Sequence, residues 1–145
     1  MAVKFRPEGY HTVTPLLSVR DAAKLIEFLK KAFDAVEVYH FNSSDGKIMH
    51  AEMKIGDSVV MLGEARKESP PTPVSLYLYV DDVNATCQKA VDAGGETVLA
   101  PEDMFWGDRV ATVRDFAGNS WWIATHVEEV SSDELERRAE KAMAA

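Results

Sequence analysis

The sequence has one cysteine, Cys87, in 145 residues. A lone thiol excludes any intrachain disulfide, so packing and hydrogen bonds must hold the fold, as in a reducing compartment. No apolar run approaches the roughly 20 residues needed to cross a bilayer. The opening M-A-V-K-F-R-P lacks the apolar core of a signal peptide. Both absences lead us to expect a cytoplasmic protein. Basic residues are also in short supply, with 16 Lys and Arg against 24 Asp and Glu, for a net charge of −8. That balance argues against a nucleic-acid backbone or an anionic membrane as partner. No Ser-His-Asp motif, Gly-rich phosphate loop or C-x-x-C pair occurs, so the familiar signatures of nucleophilic, nucleotide and thiol chemistry are missing. The composition, 46% hydrophobic and 28% charged, is that of a globular chain with a sizeable core.

What the chain does have is an internal repeat. T-V-T-P-L-L-S-V-R-D and the helical pattern after it recur as S-L-Y-L-Y-V-D-D and a second helical pattern, 61 positions later. Val19 falls on Val80, Asp21 on Asp82 and Gly46 on Gly107; the run S-V-V-M-L falls on N-S-W-W-I. An ungapped shift over a whole module implies a duplication.

Each copy reads strand, helix, strand, strand, strand. The stretch from His11 to Val19 alternates as a strand does. Pro15 cannot donate to a ladder, which places that strand at an edge. Asp21 and Asp82 are N-caps. Leu25, Phe28, Leu29, Ala32 and Phe33 share one face of the first helix. Ser43-Ser44-Asp45-Gly46 and Gly56-Asp57 are hairpin turns. Residues 64–73 carry three prolines and read as a linker. The second module ends its helix at Gly94-Gly95 and adds strands near residues 97–100, 109–114 and 120–125. Residues 131–145 form a tail helix with a capping box from Ser131 to Glu134. The expected architecture is α+β: one domain with module one over residues 10–63, module two over 74–126, and the C-terminal helix.

Strand alternation separates two faces. Leu76, Leu78 and Val80 oppose Ser75, Tyr77 and Tyr79; Ala51, Met53 and Ile55 oppose His50, Glu52 and Lys54. The first set of each strand meets a helix. The second set would line a half-barrel cavity if the two sheets faced each other, the kind of place that takes a small ligand.

Three stretches resemble the vicinal oxygen chelate superfamily of glyoxalase I, bleomycin-resistance proteins and extradiol dioxygenases, and its PhnB-like relatives. They are H-T-V-T-P-L-L-S-V-R-D with its helix, G-K-I-M-H-A-E-M-K-I-G-D-S-V-V-M-L, and F-W-G-D-R-V-A-T-V-R-D-F-A-G-N-S-W-W-I-A-T-H. The final hairpin departs from the family form, with F-A-G where D-P-x-G is common. Metal-using members of this superfamily take four ligands from four strands. The resemblance places those positions here at Thr14, Met61, Ser75 and Trp122, and the repeat agrees, since Thr14 shifts onto Ser75 and Met61 onto Trp122. A thioether, two hydroxyls and an indole make a poor set for a first-row divalent ion. The resemblance therefore implies the scaffold without its usual metal, and no cofactor is expected.

Other candidates are weighed on their own chemistry. His50 and Glu52 project from one face, as a general base with its neighbour, a two-ligand metal site, or simply a polar wall. Arg109 falls on Ile48 by the repeat, which puts it on the same face; it would bind a carboxylate or phosphate, or pair with Asp108, Glu52 or Glu102. Trp106, Trp122 and Tyr77 are candidates to stack on a planar ligand. His11 and His126 end strands and are expected to be exposed, and Cys87 to be an inert buried thiol. These residues suggest a small anionic or aromatic ligand, with a metal-dependent lyase or dioxygenase-type enzyme using a relocated metal or acid/base site at His50 and Glu52 as the alternative; the resemblance, with the edge strands and the tail helix, implies a homodimer.

Overall fold

The computed structural model describes residues 2–144. Module one runs β1 (Leu16–Val19), α1 (Ala22–Phe33), β2 (Val36–Asn42), β3 (Ile48–Ile55) and β4 (Ser58–Glu64). Module two repeats it as β5 (Ser75–Tyr79), α2 (Val83–Asp92), β6 (Glu96–Asp103), β7 (Asp108–Arg114) and β8 (Ser120–His126). The tail helix α3 covers Ser132–Ala144, and the Glu134 amide donates to Ser131 Oγ at 3.2 Å. Two four-stranded sheets result, ordered β1-β4-β3-β2 and β5-β8-β7-β6. In each, the first strand pairs in parallel with the fourth and the other pairings are antiparallel.

β1 is shorter than the alternation predicts. It begins at Leu16. Pro15 offers only its carbonyl, which accepts from the Met61 amide at 2.9 Å, so the ladder starts one residue later. The outer edge of β1 is covered by residues 64–73, the expected linker. Thr72 N donates to Ser18 O at 3.2 Å, and Ser18 Oγ donates to Ser69 O at 2.6 Å. Those contacts hide an edge that would otherwise invite strand addition.

The helix caps behave as the sequence implies. Asp21 accepts from Lys24 N and Asp82 from Ala85 N. Glu64, at the end of β4, adds a second cap: its two oxygens accept from the Asp21 and Ala22 amides at 2.9 and 3.0 Å. A carboxylate there meets the positive end of the helix dipole.

One core serves both modules. Leu25, Leu29 and Phe33 of α1, Val83 and Ala90 of α2, Leu62 of β4 and Trp121 and Ile123 of β8 belong to it. The modules meet chiefly through α1 and α2, with Phe33 packed on Trp121 at 5.0 Å between ring centroids. Lys89 of α2 closes the seam with an ion pair to Asp34, 2.8 Å to each oxygen. The helix-bearing faces therefore share the core, and the helix-free face of each sheet stays open within one chain.

The 61-residue shift holds for β1 on β5 and β4 on β8, since Leu16 lies opposite Met61 as Tyr77 lies opposite Trp122. It slips by one residue between β3 and β7. Ala51 stands across from Leu62, but it is Ala111, not Thr112, that stands across from Ile123. A slip of one exchanges the faces of a strand, so Asp108, Val110 and Thr112 share the side of His50 and Glu52. Arg109 goes to the helix side.

Candidate functional site

The open face of sheet one carries a buried carboxylate. Glu52 is 3% exposed. Its Oε2 meets His50 Nε2 at 2.9 Å, and its Oε1 accepts from the Tyr10 hydroxyl. Burial works to raise the Glu52 carboxyl, but hydrogen bonds from Tyr10, His50 and Tyr39 outweigh it and hold the group below the ordinary range. The same bond, then burial, pushes the Tyr10 phenol up to about 12. His50 lies between the rings of Tyr39 and Phe41, 5.9 and 5.7 Å away. Met61 lies directly across from Glu52 on β4. Residues 5–14 cross this face and leave a cavity of about 510 Å³ beneath them, where Thr14, Glu52 and Met61 meet Tyr10 and Tyr39.

The open face of sheet two carries a second carboxylate. Asp108 is 2% exposed. It accepts from Tyr77 at 2.7 Å and Tyr79 at 2.9 Å through one oxygen, and meets His126 Nδ1 at 2.9 Å through the other. Burial opposes its ionisation, and the bonds from Tyr77, His126 and Tyr79 prevail, so its carboxyl is held low. Tyr77 is pushed up to about 12, by burial first and then by Asp108. His126 is raised by its bond to Asp108, with Glu129 adding to it. Trp106 Nε1 donates to the Tyr77 hydroxyl at 3.1 Å. The rings of Tyr77 and Trp122 lie nearly parallel, 17° apart at 6.4 Å. Together they make an aromatic wall above a fixed negative charge. Under it sits Thr112, paired across the ladder with Trp122, its buried hydroxyl without a hydrogen-bond partner.

The structure thus places the sequence candidates in two groups. Thr14, His50, Glu52 and Met61 lie on module one. Tyr77, Trp106 and Trp122 lie on module two, with Ser75 exposed at the start of β5. Arg109 joins neither. Its Nε donates to Asn84 of α2 at 3.0 Å and its Nη1 to Asp103 at 3.1 Å, the consequence of the slip in β7. Cys87 is buried, and burial pushes its thiol up. The sequence offers no signal for Tyr10 or Thr112, and it marks Asp108 only as a possible partner of Arg109 and His126 only as an exposed strand end. Reading β7 by its own alternation, Ala111 and Val113 against Val110 and Thr112, would have found Asp108.

A larger cavity, about 860 Å³, lies elsewhere. It runs between the modules beside β5 and the C-terminal end of α1, with Phe33, Val59 and Tyr79 on its walls.

The model of the Glyoxalase/Bleomycin resistance protein/Dioxygenase superfamily matches residues 10–123. The chain belongs to that superfamily. Uncharacterized proteins of Mycobacterium bovis and Mycobacterium tuberculosis are each 40% identical to it over 147 aligned positions. The alignment covers 94% of this chain in both cases, and 94% and 84% of theirs. TioX from Micromonospora shares the fold at a TM-score of 0.68, with 23% identity over 81% of this chain and 99% of its own. A superfamily enzyme from Burkholderia phytofirmans does so at 0.66, with 17% identity over 79% and 97%.

The superfamily's divalent metal can be tested against the residues present. At the four positions that the resemblance assigns to metal ligands, Thr14, Met61, Ser75 and Trp122, the side chains are two hydroxyls, a thioether and an indole. Indole nitrogen donates only, and a thioether suits soft ions. This donor set does not fit. Among the described residues, no three His, Cys, Asp or Glu side chains are gathered as a metal site.

Proposed function

We propose that this superfamily member binds a small molecule bearing an aromatic ring on its open sheet faces, and does so without a divalent ion at the usual four positions. One observation carries the reading: Trp122, at a position the resemblance assigns to a metal ligand, forms a wall with Tyr77, itself held by Trp106 and Asp108. A rigid wall loses little entropy on binding. The anionic half of the expected ligand rested on Arg109, which is engaged with Asn84 and Asp103. The motif stretches favour a PhnB-like member, the open faces favour a homodimer, and the lone cysteine favours a reducing compartment such as the cytoplasm.

Titration with 2-naphthol, followed by tryptophan fluorescence, tests this. Saturable quenching is expected, with affinity reduced about 3- to 10-fold in Trp122→Ala, the range of one aromatic contact. Equal affinity in the variant would overturn it.

A second reading is favoured by a separate observation, the 2.9 Å contact of His50 with Glu52. A carboxylate that orients an imidazole makes a general base. Turnover found for any substrate would then collapse in both His50→Ala and Glu52→Gln; turnover that survives both removes this reading.

A further inference from the structure

The cavity of about 510 Å³ under residues 5–14 is lined by a cation that pairs with no acid among the described residues. The Arg6 guanidinium lines it, donates through Nη1 to Thr12 Oγ1 at 3.2 Å and lies over the Phe5 ring at 5.7 Å. Five N–H groups are available on a guanidinium, so most of the fork is free. Glu52 lines the same cavity, its carboxylate already held by Tyr10 and His50. Tyr10 also fastens the segment that carries Arg6 to sheet one. Met61, Tyr39 and Phe5 line the same cavity, the last 92% exposed.

We infer that this cavity is a binding site for a small molecule with an apolar body and one carboxylate or phosphate group, the anion received by Arg6. The guanidinium fork matches the two oxygens of either group. Phe5, Met61 and Tyr39 cover the apolar body. The ionised Glu52 rejects a second anionic group, so ligands with a single anionic group are preferred. The Tyr10–Glu52 bond holds the segment in place over the ligand. The site deepens the small-molecule reading on module one and is separate from the Tyr77–Trp122 wall.

Calorimetric titrations with benzoate, its neutral counterpart benzamide and inorganic phosphate test the assignment on the full chain. Benzoate is expected to bind saturably, and more tightly than benzamide. Affinity for benzoate should fall about tenfold or more in Arg6→Gln, the scale of a charge-assisted pair, and also in Tyr10→Phe, which frees the segment while leaving Arg6 intact. Arg6 is at the surface, so its variant keeps the fold, as a thermal melt checks. Binding of benzoate alone marks a carboxylate site, and binding of phosphate with it marks a general anion site. The inference is overturned if neither saturates below about 10 mM, or if Arg6→Gln binds benzoate as wild type does. Loss of benzoate binding in Trp122→Ala but not in Arg6→Gln overturns it while leaving the aromatic wall standing. Loss of 2-naphthol binding alone does the reverse.

Discussion

Glu52 and Asp108 solve one physical problem in two unrelated places. An ionised carboxylate taken out of water needs its lone pairs filled. Each is filled by tyrosine hydroxyls and a histidine ring, Tyr10, Tyr39 and His50 for Glu52 and Tyr77, Tyr79 and His126 for Asp108. Thr112 is the counter-example. It occupies on β7 the place of Glu52 on β3, 4% exposed, with its hydroxyl unbonded. A buried hydroxyl without a partner is destabilising, and valine has nearly the same shape. Thr112→Val should therefore hold or raise stability by about 1 kcal/mol. Chemical denaturation reads this directly, and a loss of similar size would mean that a water or ligand satisfies the hydroxyl. His50 and Glu52 were legible as a pair because they stand two apart on one strand. Tyr10 was not, because 42 residues separate it from Glu52 and no periodicity joins a segment without regular structure to a sheet.

At the scale of elements, local rules placed the helices and most strands, since caps, apolar stripes and turns agree there with the tertiary contacts. They failed at β7. A repeat read at fixed spacing cannot see that the β3–β4 turn is shorter than the β7–β8 turn. The one residue gained at 115–119 is lost before Ala111, and Arg109 and Asp108 exchange faces. The pairing of β3 with β4 imposes a constraint of its own. A Cβ on Gly63 would overlap the Met49 carbonyl oxygen. Gly63→Ala is expected to cost about 1–3 kcal/mol as the two strands are forced apart. A lower urea midpoint with unchanged slope is the expected readout; wild-type stability would show that the backbones separate freely.

For the whole molecule, the arrangement of modules decides what is left to bind. Because α1 packs on α2, both helix-free faces are available at once. They expose Leu16, Val36, Tyr39, Phe41 and Tyr79 at 45–66%. Apolar area of that extent is usual at an interface. A second copy could cover it by setting module one against module two of its partner. Light scattering should return twice the chain mass, and Phe41→Lys should shift it toward the monomer; a wild-type monomer would reject the homodimer.

Sequence alone determined the duplication and the composition of each module. These follow from spacing and side-chain chemistry, which do not depend on where distant residues meet. Only the tertiary structure decided that the modules join through their helices, that Arg109 turns away from the open face, and that Tyr10 returns to Glu52. Each depends on contacts between residues far apart in the chain, where one residue in a loop can turn a strand over and local pattern gives no warning.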